Sequence, residues 1–146
     1  IHRLFLFYKR KFLMAKLGTT SLARLNGVDP RLVALCHAVV KDYDITIIEG
    51  LRSQERQKEL FDKGRTKTMN SKHLTGRAVD IAPYPVDWEN LARFDYLAGA
   101  MFAYASMMGI KLRWGGDWNG DKLFGTKGKT KGTEKFKDLV HFEILN

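Results

Sequence analysis

The segment Ser71-Lys-His-Leu-Thr-Gly-Arg-Ala-Val-Asp80, answered far downstream by Asp138-Leu-Val-His-Phe-Glu143, constrains this chain more than any other feature. Side chains alternate along a strand. In 140–144 that alternation sets His141 and Glu143 on one face and Val140, Phe142 and Ile144 on the other. In 78–82 it turns Asp80 away from Val79 and Ile81. Each stretch therefore reads as a strand with an apolar side for a core and a polar side for chemistry. If the two strands are neighbours, Asp80 and His141 meet.

That meeting is what a metal site needs. Two neutral imidazoles and a carboxylate suit zinc, whose tetrahedral shell is completed by water. His73 comes from the loop just before Asp80, where Gly76 lets the chain turn and Ala78 leaves room. Asp138, three residues before His141 and just outside its strand, is the candidate base that takes the water's proton and delivers it to a leaving amine. Glu143 is a candidate partner to orient an imidazole. A lone histidine is usually structural, but the five fixed types in Ser-x-His-x-x-Gly-x-Ala-x-Asp recur by chance on the order of one in a million starts. The downstream half, Asp-x-x-His-x-Glu, is weak by itself.

The rest of the chain reads as alternating helices and strands. Asp29-Pro30 is an N-cap followed by proline at the first helical position, with Leu32, Leu35, Cys36, Val39 and Val40 at helical spacing. Residues 44–49 read as a strand closed by Gly50, and Ser53 caps a helix that runs to Lys63 and ends at Gly64. Residues 65–77 are a polar loop. Asp87 is expected to cap a long helix over 88–108, followed by a strand over 110–114 and a glycine-rich loop over 115–132. This mixed order predicts a single α+β domain: a small antiparallel sheet flanked by helices.

At 146 residues the chain is large enough for one core without staples. Its single cysteine, Cys36, excludes an intramolecular disulfide and reads as a buried apolar residue. Its neighbour His37 is poorly placed to activate it, because adjacent helical side chains point about 100° apart. The formal charge of +9 favours polyanions. A nucleic-acid partner would rest on that charge alone and is not expected. Residues 1–13 differ from the rest, mixing aromatics with cations, and removing their four cations lowers the charge from +9 to +5. The domain is taken to run over 14–146. The leading segment is too short for a secretory core or a membrane span. It reads as an upstream leader, as a membrane-active peptide able to lie in an anionic envelope surface, or as a helix packed on the domain.

The two motifs resemble the zinc peptidases of peptidoglycan that include the vancomycin-resistance D,D-carboxypeptidases and D,D-dipeptidases and the phage L-alanyl-D-glutamate endopeptidases. Gly50-Leu-Arg-Ser-Gln54 is similar to that family's segment after the first strand, and Trp114-Gly-Gly-Asp-Trp118 to its block after the long helix. The resemblance covers about 28–146. It implies a Hedgehog/D,D-peptidase-like fold, one zinc on His73, Asp80 and His141, and Asp138 as the base. It also implies an active-site arginine at Arg52. Ser71, Gln54, Glu143, Trp114 and Asp117 are expected around the site or at the substrate.

Arg52 has a physical case of its own: a guanidinium can clamp a stem-peptide carboxylate or stabilise an oxyanion, although it can equally close a turn as a salt bridge. Gln54 is a weaker candidate to polarise the same carbonyl. Asp117, Asn119 and Asp121 resemble the first half of a calcium loop, but Lys122 stands where its tight-turn glycine belongs, so a solvated loop competes with a Ca2+ site. The compact length looks most like a monomeric phage endolysin that lyses walls by cutting the stem peptide between L-alanine and D-glutamate. Removal of terminal D-alanine is the alternative within the class. Lacking a recognisable signal peptide, such a product would be made in the host cytoplasm and act on the wall after membrane damage or holin action.

Overall fold

The computed structural model describes residues 15–122 and 137–145. The leading segment 1–13 and most of the glycine-rich loop lie outside them. In chain order the elements are α1 (Thr19–Arg24), α2 (Pro30–Val39), β1 (Ile45–Glu49), α3 (Gln54–Asp62), a 3-10 turn (Lys72–Thr75), β2 (Ala78–Pro83), α4 (Leu91–Met107), β3 (Leu112–Gly115) and β4 (Asp138–Ile144). The four strands form one antiparallel sheet in the order β1-β2-β4-β3. The expected α+β architecture is the one observed.

Local chemistry explains most of the boundaries. Asp29 Oδ1 accepts the Arg31 N–H at 2.9 Å and Pro30 opens α2. Ser53 Oγ accepts the Arg56 N–H at 3.1 Å and so caps α3. The starts of the long helix and of the strand after it, and one whole helix, depart from the sequence reading. The long helix starts at Leu91 with Asn90 before it, because Asp87 spends its side chain on the Glu89 N–H in a separate turn. The third strand begins at Leu112, after Ile110 has bonded back to Ala105 and closed the helix. The short helix α1 was not anticipated; Ser21, buried within it, accepts the Ile47 N–H and thereby ties the helix to β1.

The apolar side of the sheet carries Ile45, Ile47, Val79, Ile81, Trp114, Phe142 and Ile144. It packs against Leu32, Leu35 and Val39 of α2 and Leu97, Ala98 and Met101 of α4 in one continuous core. Cys36 is wholly buried in that core. Burying one large apolar side chain is worth about 1.5–3 kcal/mol. Phe142 and Ile144, on either side of Glu143, therefore hold β4 in register, and its polar face is fixed with it. That face looks away from α2 and α4 and carries the residues considered next.

Candidate active site and metal centre

Sheet register makes the site. Asp80 on β2 lies directly opposite His141 on β4, and Ala78 lies opposite Glu143. His73 reaches the same point from the 3-10 turn. Ser71 Oγ accepts the His73 N–H at 3.3 Å and caps that turn; Gly76, at φ +67°, ends it. A methyl group at Gly76 would meet the Gly27 carbonyl oxygen at 2.2 Å. Gly76→Ala combines that backbone clash with a left-handed conformation, so it should cost about 2 kcal/mol or more, read as a fall in thermal midpoint. An unchanged midpoint would mean that the turn is not fixed in this way.

Hydrogen bonds settle which nitrogen of each imidazole faces inward. His73 Nδ1–H donates to the Gly50 carbonyl at 2.7 Å, leaving Nε2 for the centre. His141 Nε2–H donates to Glu143 Oε2 at 2.9 Å, leaving Nδ1. His73 Nε2, His141 Nδ1 and Asp80 Oδ1 then form a triangle with edges of 3.1, 3.2 and 3.3 Å. Ligands held about 2.0–2.1 Å from a tetrahedral ion stand roughly 3.3 Å apart, so the triangle fits one zinc-sized ion. All three residues are buried, and among the described residues this is the one His/Cys/Asp/Glu group with such geometry.

The surroundings shift the ionisation of these groups. Burial would raise the Asp80 pKa, but the bonds from His141 and His73 outweigh it and hold the carboxyl well below its ordinary range. Burial would depress His141, but its bonds to Asp80 and Glu143 prevail and raise it to about 9. Glu143 is lowered: hydrogen bonds from His141 and Arg113 overcome its partial burial. Asp138 goes the other way, raised by burial and by the charge of Asp80 against the opposing imidazoles.

Around the triangle opens a cavity of about 470 Å³, and Asp138, Arg52, Ser71 and Glu143 all line it. Asp138 belongs to the first residue of β4 rather than lying outside the strand. Gly115 permits that pairing, since a methyl group there would sit 2.2 Å from the Asp138 carbonyl oxygen. Arg52 is nearly buried. Its Nη2 pairs with Glu49 and lies 3.7 Å from Asp80 Oδ2, while Nη1 donates to Gln57 Oε1 at 2.9 Å. The salt bridge that closes the turn is thus present, and both terminal nitrogens are engaged within the protein.

Three expected neighbours fall elsewhere. Gln54 is exposed at the start of α3 and does not line the cavity; Gln57, one turn on, is the buried glutamine. Trp114 points into the core, where its Nε1–H donates to the Leu139 carbonyl at 2.9 Å. The cavity takes Trp118 instead, its ring 5.2 Å from that of His141 and under the Arg113 guanidinium at 5.6 Å. Asp117 is buried and accepts the Lys122 N–H at 3.0 Å, while Asn119 Oδ1 accepts the Asp121 N–H at 3.1 Å. The three oxygen residues thus organise their own loop. Gln57 and Trp118 are not among the residues the sequence reading singled out for the site.

Residues 13–145 match the family model of the phage L-alanyl-D-glutamate peptidases. The chain belongs to that family. A member from Escherichia phage T5, an L-alanyl-D-glutamate peptidase, is 34% identical over 112 residues, spanning 71% of this chain and 82% of that protein. The peptidoglycan L-alanyl-D-glutamate endopeptidase CwlK of Bacillus subtilis is 29% identical, and the match takes in 74% of this chain and 65% of CwlK. Among solved structures, the Serratia marcescens L-Ala D-Glu endopeptidase ChiX superposes with a TM-score of 0.72 at 30% identity, covering 93% of this chain and 94% of ChiX. The vancomycin-resistance D,D-pentapeptidase VanY, solved with Zn(II), is more distant, with a TM-score of 0.51 at 15% identity over 82% of this chain and 73% of VanY, and shares the fold.

Proposed function

We propose that this chain is a zinc endopeptidase that acts on the bacterial cell wall, cleaving peptidoglycan stem peptides between L-alanine and D-glutamate in the manner of an endolysin. The observation that carries the proposal is the triangle of His73 Nε2, His141 Nδ1 and Asp80 Oδ1, whose edges match zinc, in a chain of the peptidase family. Zinc held there supplies a Lewis acid able to activate water at neutral pH.

The remaining work falls to the protein. Asp138, on the cavity wall, accepts the proton of the attacking water and passes it to the leaving amine. Its raised pKa suits both halves of that task, since a carboxylate that binds its proton too weakly cannot carry it onward. Glu143 fixes the ring of His141 and is itself held by Arg113 Nε at 2.9 Å. Arg52 steadies Asp80 from the side away from the imidazoles.

Mass analysis of purified walls digested with the zinc-loaded protein tests the cleavage site. The expected products are stems that begin at D-glutamate, with L-alanine left on the glycan. Release of terminal D-alanine alone would replace this reading with a D,D-carboxypeptidase.

A further inference from the structure

The wall of the cavity formed by residues 65–72 is rich in cations. Arg65 and Lys72 both line the cavity there. Three of the cavity's carboxylates already have partners, Glu49 in Arg52 and Arg56, Glu143 in Arg113 and His141, Asp80 in the two imidazoles, and the fourth, Asp138, makes no ion pair with Arg65 or Lys72. Neither Arg65 nor Lys72 has an ion-pair partner among the described residues. Lys72 is the sharper case, being half-buried and adjacent to His73 in the same 3-10 turn. A cation on the wall of an open cavity can take as its partner an anion that arrives with the ligand.

This wall is also held in place. The wholly buried Gln57 donates from Nε2 to the Thr68 carbonyl at 2.6 Å while its Oε1 accepts from Arg52. Ser71 caps the turn on the other side. The cations therefore extend from a pinned segment, and less order has to be created when a ligand binds.

Substrate chemistry supplies the anion. Glutamate has two carboxyl groups, and a peptide chain continues through only one. The residue immediately after an L-alanyl-D-glutamyl bond therefore carries a free carboxylate, unless that group is amidated. We propose that Lys72, supported by Arg65, binds this carboxylate and makes the enzyme selective for the free acid over the amide. The assignment rests on the endopeptidase reading above and adds to it the feature of the substrate that is read.

The test uses the full chain with zinc and two acylated L-alanyl-D-glutamyl peptides that differ only in a free carboxylate or a primary amide. Wild type should favour the acid by about tenfold in kcat/KM, mostly through KM, as a charge-assisted hydrogen bond would give. Lys72→Met should lose most of that preference through a slower reaction of the acid, with the amide within about twofold of wild type, and Arg65→Met should lose less. Equal cleavage of both peptides by wild type would overturn the assignment. So would a Lys72→Met enzyme that still discriminates, or one that loses both activities alike. Cleavage of neither peptide by wild type would instead overturn the endopeptidase reading itself.

Discussion

Asp138→Asn should retain its metal and lose turnover by about 10²–10⁴-fold, the usual contribution of a positioned general base. Asparagine preserves the size and polarity of the side chain, so Gly115 can still pair with the backbone at 138. What it loses is the capacity to take up a proton. Asp138 lines the cavity with the three candidate ligands but is not a corner of their triangle. Zinc content per chain should therefore stay near that of wild type while kcat on a stem peptide collapses. A variant that turned over normally would remove Asp138 from the chemistry. One that also lost its metal would make it a ligand.

His73→Ala should abolish both metal binding and hydrolysis. The imidazole supplies one corner of the triangle, and its Nδ1–H bond to Gly50 also fastens the turn to the end of β1. Chelation of wild type should give the same loss of activity, reversed by added zinc, whereas the variant should not recover. The pH dependence follows from His141. Without metal its pKa is raised to about 9, so at neutral pH it holds a proton that zinc must displace. Apparent affinity should then rise about tenfold per pH unit and level off above about pH 9. Titration calorimetry in buffers of different ionisation enthalpy should find close to one proton released at pH 7. Release of none would show that His141 is neutral before the metal arrives.

Much of the site was legible because strands impose a period of two. That rule alone put His141 and Glu143 on one face and Asp80 opposite the core, as the register and the His141–Glu143 bond require. Caps were legible for a similar reason, since Asp29 and Ser53 act on N–H groups two and three residues away. Failures came where a residue had two local options. Asp87 could cap a helix or close its own turn, and it closed the turn. Gln54 and Gln57 sit one turn apart on α3, and composition does not say which one points inward. The tryptophans divided likewise: Trp114 went to the core and Trp118 to the cavity.

The sequence by itself determined the candidate ligand types, the strand faces that present them and the family to which the chain belongs, because each of these is carried by residue identity or by short-range periodicity. Only the tertiary structure decided the triangle's edges, which nitrogen of each histidine faces inward, that Arg52 is held by Glu49 and Gln57, and that Lys72 lines the same cavity as the triangle. Those depend on strand order, and on β4 pairing with β2 across the long helix and the loop that separate them in the chain. Contacts between distant segments are set by how the core packs, and no local pattern encodes them.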